Sequence, residues 1–376
     1  MGASVERKRL VVKIGSSTLT TSDSSIDHAY LRDLSQQLAA LKGDGWQVVV
    51  VSSGAIACGL GRLGIDVRPS DMPTLQAAAS VGQSELAGAY AESFDEYGIA
   101  TSLVLLTRRD TADRESYLHA RDTFDRLLEL GVVPVVNEND TVSVEQIRFG
   151  DNDSLAALVA CLVDATLLVI ASDIDGLYDA NPAKDAGARL IPKVAAIGPD
   201  IIAVAGGAGS VAGSGGMLTK VRAARVMMAA GIPMAIVNGK RPHAIADAAE
   251  GRCPGTMFSC SERPHTITPK KLWLALGDSS RGSLVVDEGA KGALLRRGSS
   301  LLAVGVSEVK GGFDVDDIVD IEDVRGFVIG RGKVSAGSDE IALAKGRTSE
   351  ELAANRLLSY LAERPVVHRD DLIVFE

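Results

Sequence analysis

The chain has 376 residues, 46% apolar and 23% charged, a mix that excludes a mainly disordered protein and, by length, fits two domains. Its 39 glycines follow no three-residue period, which excludes a collagen-like chain. Lys and Arg total 39 against 49 Asp and Glu, and a net charge of −10 repels nucleic acid and anionic membrane without forbidding a local basic pocket.

Apolar runs rich in Val, Ile and Leu recur at residues 10–14, 47–51, 102–106, 132–136, 166–171 and 233–237, without clean alternation. That is the pattern of strands buried on both faces of a parallel sheet. Helical spacing fills the intervals at 31–41, 122–130, 155–162 and 219–230, with glycines closing the first, second and fourth. Strands alternating with helices predict an α/β layered domain. The pattern breaks at 260–269, a polar stretch with two prolines that reads as a linker. Short runs punctuated by glycine follow at 273–276, 282–286, 301–303, 318–321 and 326–330, and predict a small β-rich domain ending in one helix over 349–363. The expected organisation is a first domain at 1–260, a linker at 261–272 and a second domain at 273–376.

Cys58, Cys161, Cys253 and Cys260 form no C-x-x-C pair, and the histidines lack ligand spacing, so no zinc site is readable. Scattered thiols fit a reducing cytosol. No run is long enough for a signal peptide or a membrane span, so a cytoplasmic protein is expected.

No Walker-type phosphate loop is present. A lone G-x-G-x-x-G at Gly59–Gly64 does not directly follow a strand, and reads as a helix end and turn rather than a dinucleotide site. Four strand ends carry stronger signals, because loops there meet helix N-termini. Lys13 sits inside a buried strand beside Gly15; either its ammonium reaches a partner or it snorkels from an edge. Ser52 and Ser53 can cap the next helix or bind an anion, and capping alone is favoured in isolation. Acids and amides crowd residues 137–140 and 151–153, where they would repel unless they face a metal ion, lysines or a substrate ammonium. A glycine-rich loop from Gly206 runs into a helix with Lys220 in its first turn, where a lysine opposes the macrodipole. A phosphate between them reverses that cost. Two lysines, hydroxyls, glycines and acids at strand ends form the set that phosphoryl transfer requires.

The stretches VVKIGSS, VSSGAIACG, Ala79–Gln83, LLTRRD, ARDTF, VPVVNENDTV, GDNDSLAALVA, SDIDGLY and GSGGMLTKVRAA together resemble the amino-acid kinase family, and within it the members that phosphorylate glutamate. The resemblance covers residues 8–260. Residues 273–355, with VDEGA and RGSSLL, resemble the PUA domain. The resemblance implies a three-layer α/β sandwich with a mainly parallel central sheet and an appended β-rich PUA domain. It implies ATP-dependent phosphorylation of the L-glutamate side-chain carboxylate, on the way to proline, with Mg²⁺ bridging ATP oxygens. Carried over by motif, Lys13 and Lys220 flank the transferring phosphoryl group and Asp153 orients them. Ser53, Asn137, Asp140, Asp151 and Asn152 hold glutamate. Ser172, Asp173, Ser214, Gly215, Gly216, Met217, Leu218, Thr219 and Lys220, with Lys13, line the ATP site. The resemblance also implies a homo-oligomer (a dimer or tetramer), proline as a feedback inhibitor, and coupling to a glutamyl phosphate reductase. Residues 276–376 hold 13 Lys and Arg against 18 Asp and Glu, which argues against RNA and for a regulatory or assembly role of the second domain.

Overall fold

The computed structural model describes residues 7–21, 23–107, 113–142, 152–206, 216–259, 268–276 and 280–375. They fall into two compact units, Met1–His265 and Thr266–Glu376.

In the first unit the runs of Val, Ile and Leu form β1 (Arg9–Ile14), β2 (Gln47–Val51), β3 (Thr101–Leu106), β4 (Val133–Glu138), β5 (Leu167–Ser172), β6 (Lys193–Val194), β7 (Met234–Asn238) and β8 (Thr256–Phe258). They make one sheet in the order β3-β4-β2-β1-β5-β7-β8-β6. Pairing is parallel from β3 through β7, and β8 runs antiparallel to β7. β1 is central, with β2 on one side and β5 on the other, so the chain order reverses at β1. The crevice beyond the carboxyl end of such a strand is where α/β sheets bind ligands.

Strand residues alternate between the two faces. After the one-turn α1 (Ser16–Leu19) comes α2 (His28–Gly43), and Leu10, Val12 and Ile14 of β1 join a core with Leu31, Leu34 and Leu38 of α2 and Leu86, Tyr90 and Phe94 of α4 (Met72–Asp95). Between them in sequence lies α3 (Ala55–Arg62). The opposite face of the sheet is covered by α5 (Arg114–Glu129), α6 (Asn152–Leu162) and α8 (Met217–Ala229), with the short α7 (Pro199–Val204) before the last. Lys13 alternates onto the α6 side. Two helix layers around a mainly parallel sheet match the three-layer expectation.

α4 has no counterpart in the helical spacing read from sequence. Its middle, residues 77–82, is built of Ala, Ser, Val and Gly rather than spaced leucines, although Asp71 caps it by accepting from Thr74 N at 3.0 Å. Small residues allow it to lie very close to α3. A Cβ at Gly82 would fall on the Ala55 carbonyl, and one at Gly59 on the Ala78 carbonyl. The G-x-G-x-x-G segment is therefore the end of α3 and a turn, with Gly59 serving helix packing.

In the second unit β9 (Gly282–Val286), β10 (Val306–Gly311), β11 (Ile318–Glu322), β12 (Val328–Val334) and β13 (Val367–Val374) form a sheet in the order β10-β9-β11-β12-β13. β9 and β11 pair in parallel, and the other neighbours are antiparallel. Three expectations fail here. Residues 273–276 are not a strand but the end of a helix, Pro269–Leu276. Its burial of Leu272, Leu274 and Leu276 mimics strand alternation. Thr268 nevertheless accepts from Lys271 N at 3.3 Å, and Pro269 at the helix start is a helix signal. Residues 301–303 give only an isolated bridge from Leu301 to Val367 and a 3₁₀ turn, Ala303–Gly305. The single helix over 349–363 is two short ones, Ser349–Ala353 and Tyr360–Glu363. Leu352, Leu358 and Leu361 are all buried. On a continuous helix the last two would lie on the face away from the first, so a turn between them lets all three reach one core.

The α3–α4 contact is testable. Gly82→Ala should lower stability by about 1–3 kcal/mol or more through overpacking. Gly88→Ala, on the same helix with open space around it, should leave stability unchanged or raise it by up to about 1 kcal/mol. Thermal unfolding of both variants decides, and a Gly82→Ala protein as stable as the parent would contradict the packing argument.

Candidate functional site

Three groups of polar side chains lie at the carboxyl ends of the central strands. The first is built on charge. Asp153, in the first turn of α6, is fully buried, and Lys13 and Lys220 are 5% and 3% exposed. Lys13 Nζ lies 2.8 Å from Asp153 Oδ1, and Lys220 Nζ 3.2 Å from Oδ2. Thr219 Oγ1 donates to the same Oδ2 at 2.8 Å. Burial pushes the Asp153 carboxyl up, but the charges of Lys13 and Lys220 and the hydrogen bonds from Lys13 and Thr219 outweigh it. The group is held below the usual carboxylate range. Two ammonium groups around one carboxylate leave this trio with an excess positive charge, which suits an anion. The main chain beside it is ordered by Gly15, whose N–H donates to the Ala171 carbonyl at 3.1 Å and ties the end of β1 to β5.

The second group is a network of amides and hydroxyls. Asn152, next to Asp153, donates through Nδ2 to the Ser52 carbonyl at 2.6 Å, to Ser53 Oγ at 3.1 Å and to Asn137 Oδ1 at 2.9 Å. Asn137 Nδ2 donates to Gln83 Oε1 of α4 at 2.7 Å. Ser52 Oγ and Tyr90 OH lie 3.2 Å apart. Neither serine caps α3, contrary to the capping expectation. The N-cap is Gly54, at φ +95°, a left-handed conformation that favours glycine, and the hydroxyls are left for side-chain partners. Asp140, just beyond β4, is half-buried, and its carboxyl is pushed up to about 6 by desolvation, which the charge of Arg68 only partly offsets.

The third group is at the end of β5, where Ser172 Oγ donates to Asp173 Oδ1 at 3.1 Å. Gly239 N, beyond β7, donates to the Ser172 carbonyl at 2.8 Å. Ser172 is buried and Asp173 exposed.

Of the residues expected from sequence, Lys13, Asp153, Thr219 and Lys220 thus form one cluster, and Ser53, Asn137 and Asn152 a second. The two meet at consecutive residues of α6. Ser172 and Asp173 form a pair of their own. Gly216 is the N-cap of α8, and Met217 and Leu218 open its first turn, half-buried. Asp151, Ser214 and Gly215 lie outside the described residues. Gln83 was not singled out from sequence. It closes the motif at Ala79–Gln83, but its partner Asn137 is 54 positions away.

The model of the Amino acid kinase family matches residues 8–238, and that of the PUA domain residues 282–354. The chain is 44% identical over 367 residues to a glutamate 5-kinase of Geobacter sulfurreducens, covering 98% of this chain and 97% of that protein. It is 45% identical over 369 residues to a glutamate 5-kinase of Moorella thermoacetica, with 98% and 97% covered. A glutamate 5-kinase of Caldanaerobacter subterraneus subsp. tengcongensis is 42% identical over 368 residues, with 98% of each chain covered.

The charged trio predicts a stability effect with a defined sign. Asp153→Ala takes the shared carboxylate away from two buried ammonium groups and should cost about 3–5 kcal/mol. Because the folded pKa of Asp153 is depressed, its contribution is present above the ordinary carboxylate pKa of about 3.9 and fades as pH falls through the folded value. The stability gap between the parent and Asp153→Asn should therefore be wide at neutral pH and shrink below about pH 4. Equal unfolding temperatures at neutral pH would remove the trio from the stability argument.

Proposed function

Because the chain belongs to the amino acid kinase family, we infer that it transfers the terminal phosphoryl group of ATP to the side-chain carboxylate of L-glutamate, giving L-glutamyl 5-phosphate for proline synthesis. The observation that carries this reading is the meeting of two clusters at one helix turn. Asp153 holds two ammonium groups together, and Asn152 beside it belongs to a network of neutral donors and acceptors. A phosphoryl donor suits the first, and a zwitterionic acceptor the second.

The acceptor is an ionised carboxylate, so no general base is required. Its oxygen forms a bond to the γ-phosphorus as the bond from that phosphorus to the β–γ bridging oxygen breaks, and ADP leaves. Charge spreads over the transferring oxygens, and Lys13 and Lys220 would stabilise it from fixed positions. Asp153 would hold both lysines in place rather than touch substrate. Ser53, Asn137, Asn152, Asp140 and Asp151 would recognise glutamate, with Asp140 meeting its α-ammonium. Ser172, Asp173 and residues 214–220 would line the nucleotide site.

The proposed divalent ion is Mg²⁺, which would supply charge neutralisation on the nucleotide phosphates. Asp153 would not be one of its ligands, because both its oxygens are engaged by lysine.

Residues 1–260 would be the catalytic domain and 273–376 a PUA-like unit with an assembly or regulatory role, its acidic balance disfavouring RNA. A cytoplasmic homo-oligomer is proposed, with proline as feedback inhibitor. Acyl phosphates are labile, which supports coupling to a glutamyl phosphate reductase. No helix among the described residues is long and apolar enough to cross a membrane.

Trapping the acyl phosphate with hydroxylamine tests the reaction, and aspartate or acetylglutamate outperforming glutamate would overturn it. Lys13→Ala and Lys220→Ala should each lower kcat by about 10²–10³ with a smaller change in glutamate KM. The raised Asp140 pKa makes kcat/KM for glutamate climb as pH rises through about 6, where the carboxylate forms. Asp140→Asn should flatten that limb and raise KM. A limb that survives the substitution assigns the titration to another group.

A further inference from the structure

We infer that Gln83 is a positioning residue for acceptor recognition, acting through Asn137 to steady Asn152, whose amide oxygen is offered to substrate. The inference rests on the reading of Ser53, Asn137 and Asn152 as the glutamate subsite.

Side-chain amides can present either end, so their orientation needs an anchor that is only donor or only acceptor. Two main-chain groups supply it. The Ser52 carbonyl can only accept, and it lies 2.6 Å from Asn152 Nδ2. The Glu138 N–H can only donate, and it lies 2.9 Å from Asn137 Oδ1. Asn152 Nδ2 then meets Asn137 Oδ1 with the correct polarity at 2.9 Å. The other end of Asn137 is a donor, and Gln83 Oε1 receives it at 2.7 Å. With Gln83 reversed, two N–H groups would face each other. The retained orientation leaves Gln83 Nε2 buried without an acceptor among the described residues, a cost that the fold accepts.

The result is a directional relay. Among the described residues Asn152 meets its three acceptors through the two N–H groups of Nδ2, one of them shared, so Oδ1 is the atom offered to a ligand, and a carbonyl oxygen suits the ammonium of an amino acid. Without an acceptor at Gln83, the buried Asn137 Nδ2 would lose the partner it has there, and Asn137 would shift toward another one. That shift would weaken its hold on Asn152 Nδ2 and unsettle Asn152. Gln83 is held within reach because Gly82, the residue before it, lets α4 lie against α3.

Steady-state kinetics of full-length variants tests this. Gln83→Leu should raise glutamate KM about tenfold, equivalent to about 1.4 kcal/mol, while ATP KM and kcat stay within about twofold. Gln83→Glu keeps an oxygen opposite Asn137 Nδ2 and should return glutamate KM to within about threefold of the parent. If Gln83→Leu does not fold, Gln83→Met provides the same measurement. An unmoved glutamate KM, both KM values rising together, or a Gln83→Glu variant as impaired as Gln83→Leu would each overturn the positioning role. The subsite reading is checked separately by Asn152→Ala. If that variant left glutamate KM unmoved, the glutamate cradle would be wrong, whatever Gln83 does.

Discussion

The first unit is organised around a carboxylate that cannot be removed. Asp153 is wholly out of water and holds two ammonium groups, one from the middle strand and one from a helix that follows in sequence by more than sixty residues. Each lysine would be costly in that position without it. The carboxylate is also at the N-terminal turn of α6, where a negative charge is favoured, while Lys220 opposes the dipole of α8. One anion thus offsets two buried cations, one of which is also misplaced against a helix dipole. It does not neutralise them fully, and the remaining positive charge at the strand ends is the electrostatic basis of the proposed phosphate-handling site.

The topology explains why these groups can meet. β1 lies where the sheet order reverses, so loops from β2 and β5 diverge and open a crevice above its carboxyl end. Lys13 enters from below on the strand, and α6 and α8 deliver Asp153 and Lys220 from one face. The α3 and α4 layer contributes from the other side, through Gln83 and Tyr90. An acceptor that brings its own nucleophile asks the protein for orientation and charge compensation only. On the proposed reading, a helix turn carrying Asn152 and Asp153 side by side would provide both from one element and keep the distance between the two subsites nearly fixed.

Much of this was legible in the residues. Val, Ile and Leu runs gave the central strands, because burial on both faces suppresses alternation. Lys13 and Lys220 stood out as charges in costly positions. What escaped was whatever depends on distant partners or on small side chains. α4 was invisible to periodicity, since alanine and glycine carry little hydrophobic contrast along residues 77–82. Ser52 and Ser53 looked like caps, because nothing local reveals that a glycine in a left-handed conformation takes that position. Residues 273–276 alternate as a strand would, and only the Thr268–Pro269 start betrays the helix.

The glycines at 59 and 82 show how one physical property can be misassigned by spacing. A missing Cβ allows close approach, and a dinucleotide fingerprint uses it to bring backbone to a pyrophosphate. Here the approaching partner is another helix: each glycine faces a backbone carbonyl of its neighbour. That closeness sets how near α3 and α4 run, and Gln83 follows Gly82 directly on α4. With Gln83 proposed as a positioning residue, the glycine pattern would reach ligand recognition through the packing of two helices rather than through a nucleotide.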